Sequence, residues 1–339
     1  MKLKSSAAQT GKFASFFRKT GVKALVALVA MYLVGVLLFD TGLVGDYYFA
    51  TLVTIGINII LAVSLNLITG FTGQFSLGHA GFMSIGAYTC AIVLRAMPNQ
   101  AGFLIGLFAG AVLAAIVGIA VGLPTLRLNG DYLAIATLGM AEIIRILVQN
   151  MKITNGAAGL SNLPRFVNWT YLFLFTVGTV VLIWNFIKST HGRACIAVRE
   201  DEIAAEAMGV SPTKYKVMAF TIGAFFAGVA GAMYASYFYF ISPGMFNFKK
   251  SIDILVIVVF GGMGSLSGSV IAAVLLALIN TLLQSITDLR MVLYALLLVV
   301  IMIFRPQGLL GSKEVSLMLL KSIKLPGFLR KKAQGGEEE

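Results

Sequence analysis

The stretch Ile252–Ile286, IDILVIVVFGGMGSLSGSVIAAVLLALINTLLQSI, decides how this chain is built. A membrane-crossing helix needs about 20 apolar residues. This run is too long for one straight span and short for two, and after Asp253 it carries no charge. It is interrupted by Gly261-Gly262-Met263-Gly264-Ser265-Leu266-Ser267-Gly268, a series that disfavours an uninterrupted helix because glycine adds backbone freedom and no packing. The stretch reads as two short membrane segments, or a re-entrant hairpin, folded at the glycines.

The rest of the sequence agrees. Of 339 residues, 58% are hydrophobic and 12% charged, and the mean hydropathy is +0.91. An ordinary soluble domain carries roughly 25% charged residues. The 36 glycines and 7 prolines are dispersed through apolar stretches, which excludes a disordered or collagen-like chain. The expectation is an all-α polytopic membrane protein. Spans are expected at Ala24–Phe39, Phe49–Leu67, Ser76–Leu94, Gly102–Leu123, Tyr132–Gln149, Thr170–Phe186, Val217–Phe240 and Met291–Phe304, with Ile252–Ile286 as the broken element. That makes about 8–10 transmembrane helices. Residues 1–23 read as a basic cytoplasmic leader, 24–311 as the membrane body and 312–339 as a cytoplasmic tail. The leader is followed by no small-residue cleavage pattern, so the first apolar run reads as an uncleaved helix.

Lysine and arginine orient the chain. With the N-terminus in the cytoplasm, 19 of the 26 basic residues fall on that side, in the leader, Arg127, the loop 188–216 and the segment after Phe304. This asymmetry is what the positive-inside rule requires, and it accounts for the net charge of +12 without nucleic acid. Both termini are then cytoplasmic. Ile252–Ile286 must start and finish on the outer side.

A second break lies at Gly70-Phe71-Thr72-Gly73-Gln74-Phe75-Ser76-Leu77-Gly78-His79-Ala80-Gly81. Its Gly70-x-x-Gly73-x-x-Ser76 matches Gly261-x-x-Gly264-x-x-Ser267. Paired glycine-interrupted segments point to a transport site, although so short a match also arises by chance. Gly73, Ser76, His79, Gly261, Gly264 and Ser265 are therefore pathway or structural candidates. His79 is either a packed, hydrogen-bonded histidine or a proton relay.

Ionisable residues at membrane depth are few. Glu142 and Arg145, spaced i, i+3, fall on one face of a helix and can pair. They either line a polar pathway or form an internal ion pair that holds helices in register. Cys90 and Cys195 suggest neither a disulfide nor a metal site. No HExxH, GxSxG, CxxC or GxxxxGK[ST] pattern occurs, so no catalytic residue, metal site or cofactor is expected. An ATP-driven process would need partner subunits to bind the nucleotide.

Within the loop 188–216, Glu200-Asp201-Glu202 precede Ile203-Ala204-Ala205-Glu206-Ala207-Met208, then Gly209 and Pro212. Acids at the start and glycine past the end predict a helix of about two turns, too short to stand alone in water. Ile203, Ala204, Ala207 and Met208 form a small apolar face. It lies either on the membrane surface, which its acids oppose because the inner leaflet is itself negative, or in a groove of a soluble partner.

This segment resembles the coupling loop of ABC-importer permeases, with the loose signature Glu-Ala-Ala-x-x-x-Gly; here Ala204-Ala205 and Gly209 match, while Ile203 replaces the Glu and Glu202 stands one place earlier. Arg199-Glu200-Asp201-Glu202-Ile203-Ala204-Ala205-Glu206-Ala207-Met208-Gly209 is similar to the version in the branched-chain amino-acid permease family (LivM type). So are Ser76–Phe82 with Ile85-Gly86-Ala87-Tyr88, Gly130–Gly139 with Glu142-Ile143-Ile144-Arg145, Thr154–Leu160, Gly261–Ser265 and Phe304–Gly311. The resemblance runs from about Tyr48 to Gly311. It implies an ABC importer permease fold in a bacterial inner membrane, embedded in the lipid bilayer. It also implies a related but distinct second permease, two cytoplasmic ABC ATPases and a periplasmic amino-acid-binding protein. Glu202, Ile203, Ala204, Ala205, Ala207, Met208 and Gly209 would couple to the ATPases. The cargo would be leucine, isoleucine or valine, with urea, amides or other amino acids as same-family alternatives. An autonomous ion-coupled transporter is the alternative from another class, and the scarcity of intramembrane acids opposes it.

Overall fold

The computed structural model describes residues 26, 28–38, 45–128, 130–282, 299 and 308–311. Among these the chain is helical, apart from one isolated β-bridge between Leu160 and Ile241. The expected span Met291–Phe304 is outside the described residues except for residue 299, and the leader 1–23 and tail 312–339 lie wholly outside them.

The helices are α1 (Leu28–Leu38), α2 (Asp46–Asn66), α3 (His79–Ala96), α4 (Gln100–Thr125), α5 (Asp131–Asn150) and α6 (Trp169–Lys188). They continue as α7 (Thr190–Glu200), α8 (Glu202–Ala207), α9 (Pro212–Tyr237), α10 (Phe248–Gly261) and α11 (Leu266–Leu282). Among the described residues, α2 with its extension to Phe71, α4, α6 and α9 are long and apolar enough to cross a membrane. The most apolar window of α2 is 78% buried and that of α6 only 22%, so α2 is central and α6 peripheral.

Small residues set the core. A Cβ on Gly86 of α3 would lie 2.1 Å from the Gly228 carbonyl of α9, and one on Gly110 of α4 would lie 2.8 Å from the Gly86 carbonyl. Three backbones therefore meet where any side chain would hold them apart, the usual basis of tight packing in lipid. Phe82 and Phe220 fill the space below, edge to face at 5.4 Å.

The far end of the bundle is closed by two loops. Leu160 and Ile241 exchange backbone hydrogen bonds of 2.9 and 3.0 Å, and Arg165 donates to the Tyr237 hydroxyl at 2.7 Å while stacking over its ring. This docking explains the Thr154–Leu160 motif, whose Asn155 takes a left-handed conformation and donates from its side chain to the Gly159 carbonyl at 3.0 Å.

Ile252–Ile286 breaks at the expected place, into α10 and α11. The first break differs from the expectation. Gly70 is not in the irregular segment: α2 runs on through it as a π turn, Leu67–Phe71, and only residues 72–78 are irregular. The widened turn is closed by Thr72, whose hydroxyl donates to the Leu67 carbonyl at 2.7 Å, and by Gln74 N–H donating to Ile68 at 3.1 Å. Such π turns are rare and gather at functional sites.

Candidate functional site

The two breaks pack against one another at the end of the bundle where α7 and α8 lie. Asn66, fully buried at the end of α2, clips them together. Its side-chain nitrogen donates to the Ser265 carbonyl and to Ser269 Oγ, each at 2.8 Å, and its oxygen accepts from Gly264 N–H at 2.9 Å. A Cβ on Gly70 would lie 2.3 Å from the Gly264 nitrogen, so glycine is required there for close approach. Gly264 itself sits at φ +85°. Ser265 is fully buried; its hydroxyl caps Gly268 N–H at 3.1 Å.

Irregular backbone at membrane depth must be satisfied by protein. Leu77 N–H donates to Thr137 Oγ1 of α5 at 3.1 Å, Gln74 Nε2 donates to the Lys216 carbonyl of α9 at 3.2 Å, and Ser76 Oγ accepts from Gly78 N–H at 3.4 Å. The carbonyl end of α10 is covered by residues 308–311: Leu309 N–H donates to Phe260 at 2.8 Å and Leu310 N–H to Gly261 at 3.4 Å. The Gly261 run and the end of the Phe304–Gly311 motif are thus one unit. His79 begins α3, is 1% exposed, and bonds through Nε2 to Ser64 Oγ of α2 at 2.8 Å. Its Nδ1 has no hydrogen-bond partner among the described residues. Ala80 N–H donates to Ser251 of α10 at 3.1 Å, so the start of α3 touches both α2 and α10.

The loop 188–216 holds two helices where one was expected. Ser189 caps α7, accepting from Gly192 N–H at 3.3 Å. Asp201 then caps α8, accepting from Ile203 and Ala204 N–H at 2.9 and 3.0 Å. Glu202 is tied to Lys216 of α9 at 2.6 Å. Ala205 is buried, whereas Ile203 and Met208 are 82% and 83% exposed, and Ala204 and Ala207 are exposed beside them. Gly209, at φ +85°, ends the helix and donates to the Glu206 carbonyl at 2.9 Å. Burial pushes the Cys195 thiol of α7 up to about 11. A cleft of about 250 Å³ separates this loop from the first break, lined among others by Gly73, Gln74, Gly130, Arg199 and Lys216.

Glu142 and Arg145 pair within α5 at 2.7 Å, and Arg145 also donates to Gln149 Oε1 at 3.3 Å. The pair joins no other helix through these bonds, and both side chains remain about one-quarter to one-third exposed. Of the residues singled out in the sequence, the glycine breaks come together, α8 stands beside them, and Glu142 and Arg145 lie apart on α5. Asn66, Arg199 and Lys216 are the members that sequence reasoning missed. Asn66 could have been noticed as an amide at the end of an otherwise apolar run.

A multi-pass helical body with two glycine-broken elements meeting beneath a capped loop helix is a membrane permease, not itself catalytic. Residues 47–303 match the family described as branched-chain amino acid transport system, permease component. The chain belongs to that family. It is 38% identical to the high-affinity branched-chain amino acid transport system permease protein LivM of Salmonella typhimurium over 78% of this chain and 70% of that protein. The Escherichia coli LivM matches equally, and the Escherichia coli permease protein LivH is 26% identical over 76% of this chain and 92% of its own. No solved structure matches. The chain is accordingly a multi-pass membrane protein of the bacterial ABC permease family.

Proposed function

We propose that this chain forms one half of the membrane pathway of an ATP-driven importer of branched-chain amino acids, paired with a related, distinct permease like LivH. Two cytoplasmic ABC ATPases bind from the inner side, and a periplasmic binding protein delivers leucine, isoleucine or valine outside. The distribution of Lys and Arg supports cytoplasmic termini and an inner loop 188–216. The observation that carries the reading is α8. It is a six-residue helix, capped at both ends and tied to α9, that presents Ile203 and Met208 almost fully to the exterior. A helix so short is stable only against a surface, and its acidic flanks oppose the negative inner leaflet. A groove of an ATPase fits both requirements.

Glu142, Arg145 and Gln149 form a partly exposed polar flank of α5. An unshielded charge at mid-membrane costs about 2.5–3.5 kcal/mol on insertion scales. This flank therefore faces the second permease across the pathway, where water and the zwitterionic cargo supply polar surroundings. Reconstitution tests the whole reading. Leucine uptake into proteoliposomes is expected only with ATPases, ATP and binding protein present, and uptake driven by an ion gradient through this chain alone would overturn it.

A further inference from the structure

Arg199, the penultimate residue of α7, is used by none of the expectations above. Its side chain crosses the first break and reaches the second. A Cβ on Gly73 would lie 2.9 Å from Arg199 Cγ, so the stem lies over that glycine. The guanidinium Nη1 donates to the Gly70 carbonyl at 2.7 Å, inside the π turn. The same nitrogen lies 3.0 Å from where a Cβ of Gly264 would be. Glu200 pairs with the outer side of the guanidinium. The next residues are Asp201, which caps α8, and Glu202, which is tied to Lys216. Lys216 in turn accepts from Gln74 of the first break.

We propose that Arg199 is the strut that carries movement of α8 into the joined glycine breaks, so that a displacement on the inner surface opens or closes the pathway at Gly70 and Gly264. Its planar, multi-donor head suits this role, because it stays charged and can hold a backbone carbonyl and a carboxylate together. Arg199 is a positioning residue: it acts through the Gly70 carbonyl and the Glu200 carboxylate that it holds. The proposal rests on α8 being the ATPase docking element.

The test uses the whole transporter in proteoliposomes and reads leucine moved per ATP hydrolysed. With Arg199→Ala the ATPases are expected to remain bound and to hydrolyse ATP within about twofold of the parent, while leucine moved per ATP falls at least tenfold. Arg199→Lys, which keeps the charge without the planar fork, recovers part of that ratio. An unchanged ratio in Arg199→Ala overturns the proposal, as does loss of the ATPases from that complex, which would make Arg199 a docking residue instead. A second arm bypasses the arginine. The Cβ position of Gly73 lies 3.5 Å from that of Arg199, within the span of a disulfide. Gly73→Cys with Arg199→Cys, in a chain whose Cys90 and Cys195 are alanine, is expected to couple when oxidised and to uncouple when reduced. Gly73→Cys alone is expected to show no such redox response. The same low ratio in both redox states refutes the strut. Failure of the docking reading looks different: Ala204→Arg would then leave the ATPases bound.

Discussion

The junction at Asn66 and the helix α8 lie side by side and obey opposite rules. At Asn66 every side-chain group is spent inside the protein, on Gly264, Ser265 and Ser269, and the amide is fully buried. At α8 only the ends are satisfied internally, by Asp201 and Gly209, while the apolar face looks outward. The first region is satisfied within the chain; the second keeps its apolar face for the partner proposed above. Changes at the junction should therefore damage the protein, and changes on α8 should damage only what the protein does.

The sharpest way to break this contrast is Asn66→Leu. It leaves Gly264 N–H buried without its acceptor, at about 1–3 kcal/mol, removes the amide donor from the Ser265 carbonyl and Ser269 Oγ, and forces a branched side chain into the junction. Loss of most folded protein, seen as aggregation in size-exclusion profiles and a lower Tm in detergent, is the expected result. Next comes Ile203→Asp on α8. The Ile203 side chain is 82% exposed, so Tm should shift by no more than a few degrees while uptake is abolished; a collapse of Tm would put α8 in the same class as the junction. A charge exchange, Glu142→Arg with Arg145→Glu, probes a third region. The pair is contained within α5, so expression lost in either single variant should return in the double, while uptake stays several-fold low if this flank faces the pathway. Full recovery of uptake would make the pair purely structural.

The smallest effect concerns Cys195. Its thiol is raised to about 11 by burial, so the thiolate fraction at pH 8 is about a hundredfold below that of a thiol at 9. In a chain whose Cys90 is alanine, maleimide labelling at pH 8 should be negligible while the protein is folded and rapid once it is denatured. Rapid labelling of the folded protein at pH 8 would mean that α7 opens locally and is not the firm base of α8 that the geometry describes.

Much of this was legible in the chain. Both breaks were marked by glycine in apolar surroundings, and the start, end and exposed face of α8 followed from its acids and Gly209. The pairing of the breaks was not legible in detail. The repeat aligns Gly70 with Gly261, yet Gly70 packs on Gly264, because the contact is set by the π turn and not by motif register. Asn66 bonds residues 198 to 203 positions away, beyond the reach of local patterns. α7 escaped notice because its buried face, Gly192, Cys195 and Val198, is narrow and set among basic and small residues; the clearest local signal was the Ser189 cap.

α10 is too short to cross a bilayer unaided. Its 14 residues rise about 21 Å, against roughly 30 Å of hydrocarbon. Before it, Phe246 packs on Tyr88 and Tyr234. A solute following α10 would therefore be lined by helix over about two-thirds of the apolar depth and by neighbouring segments over the rest.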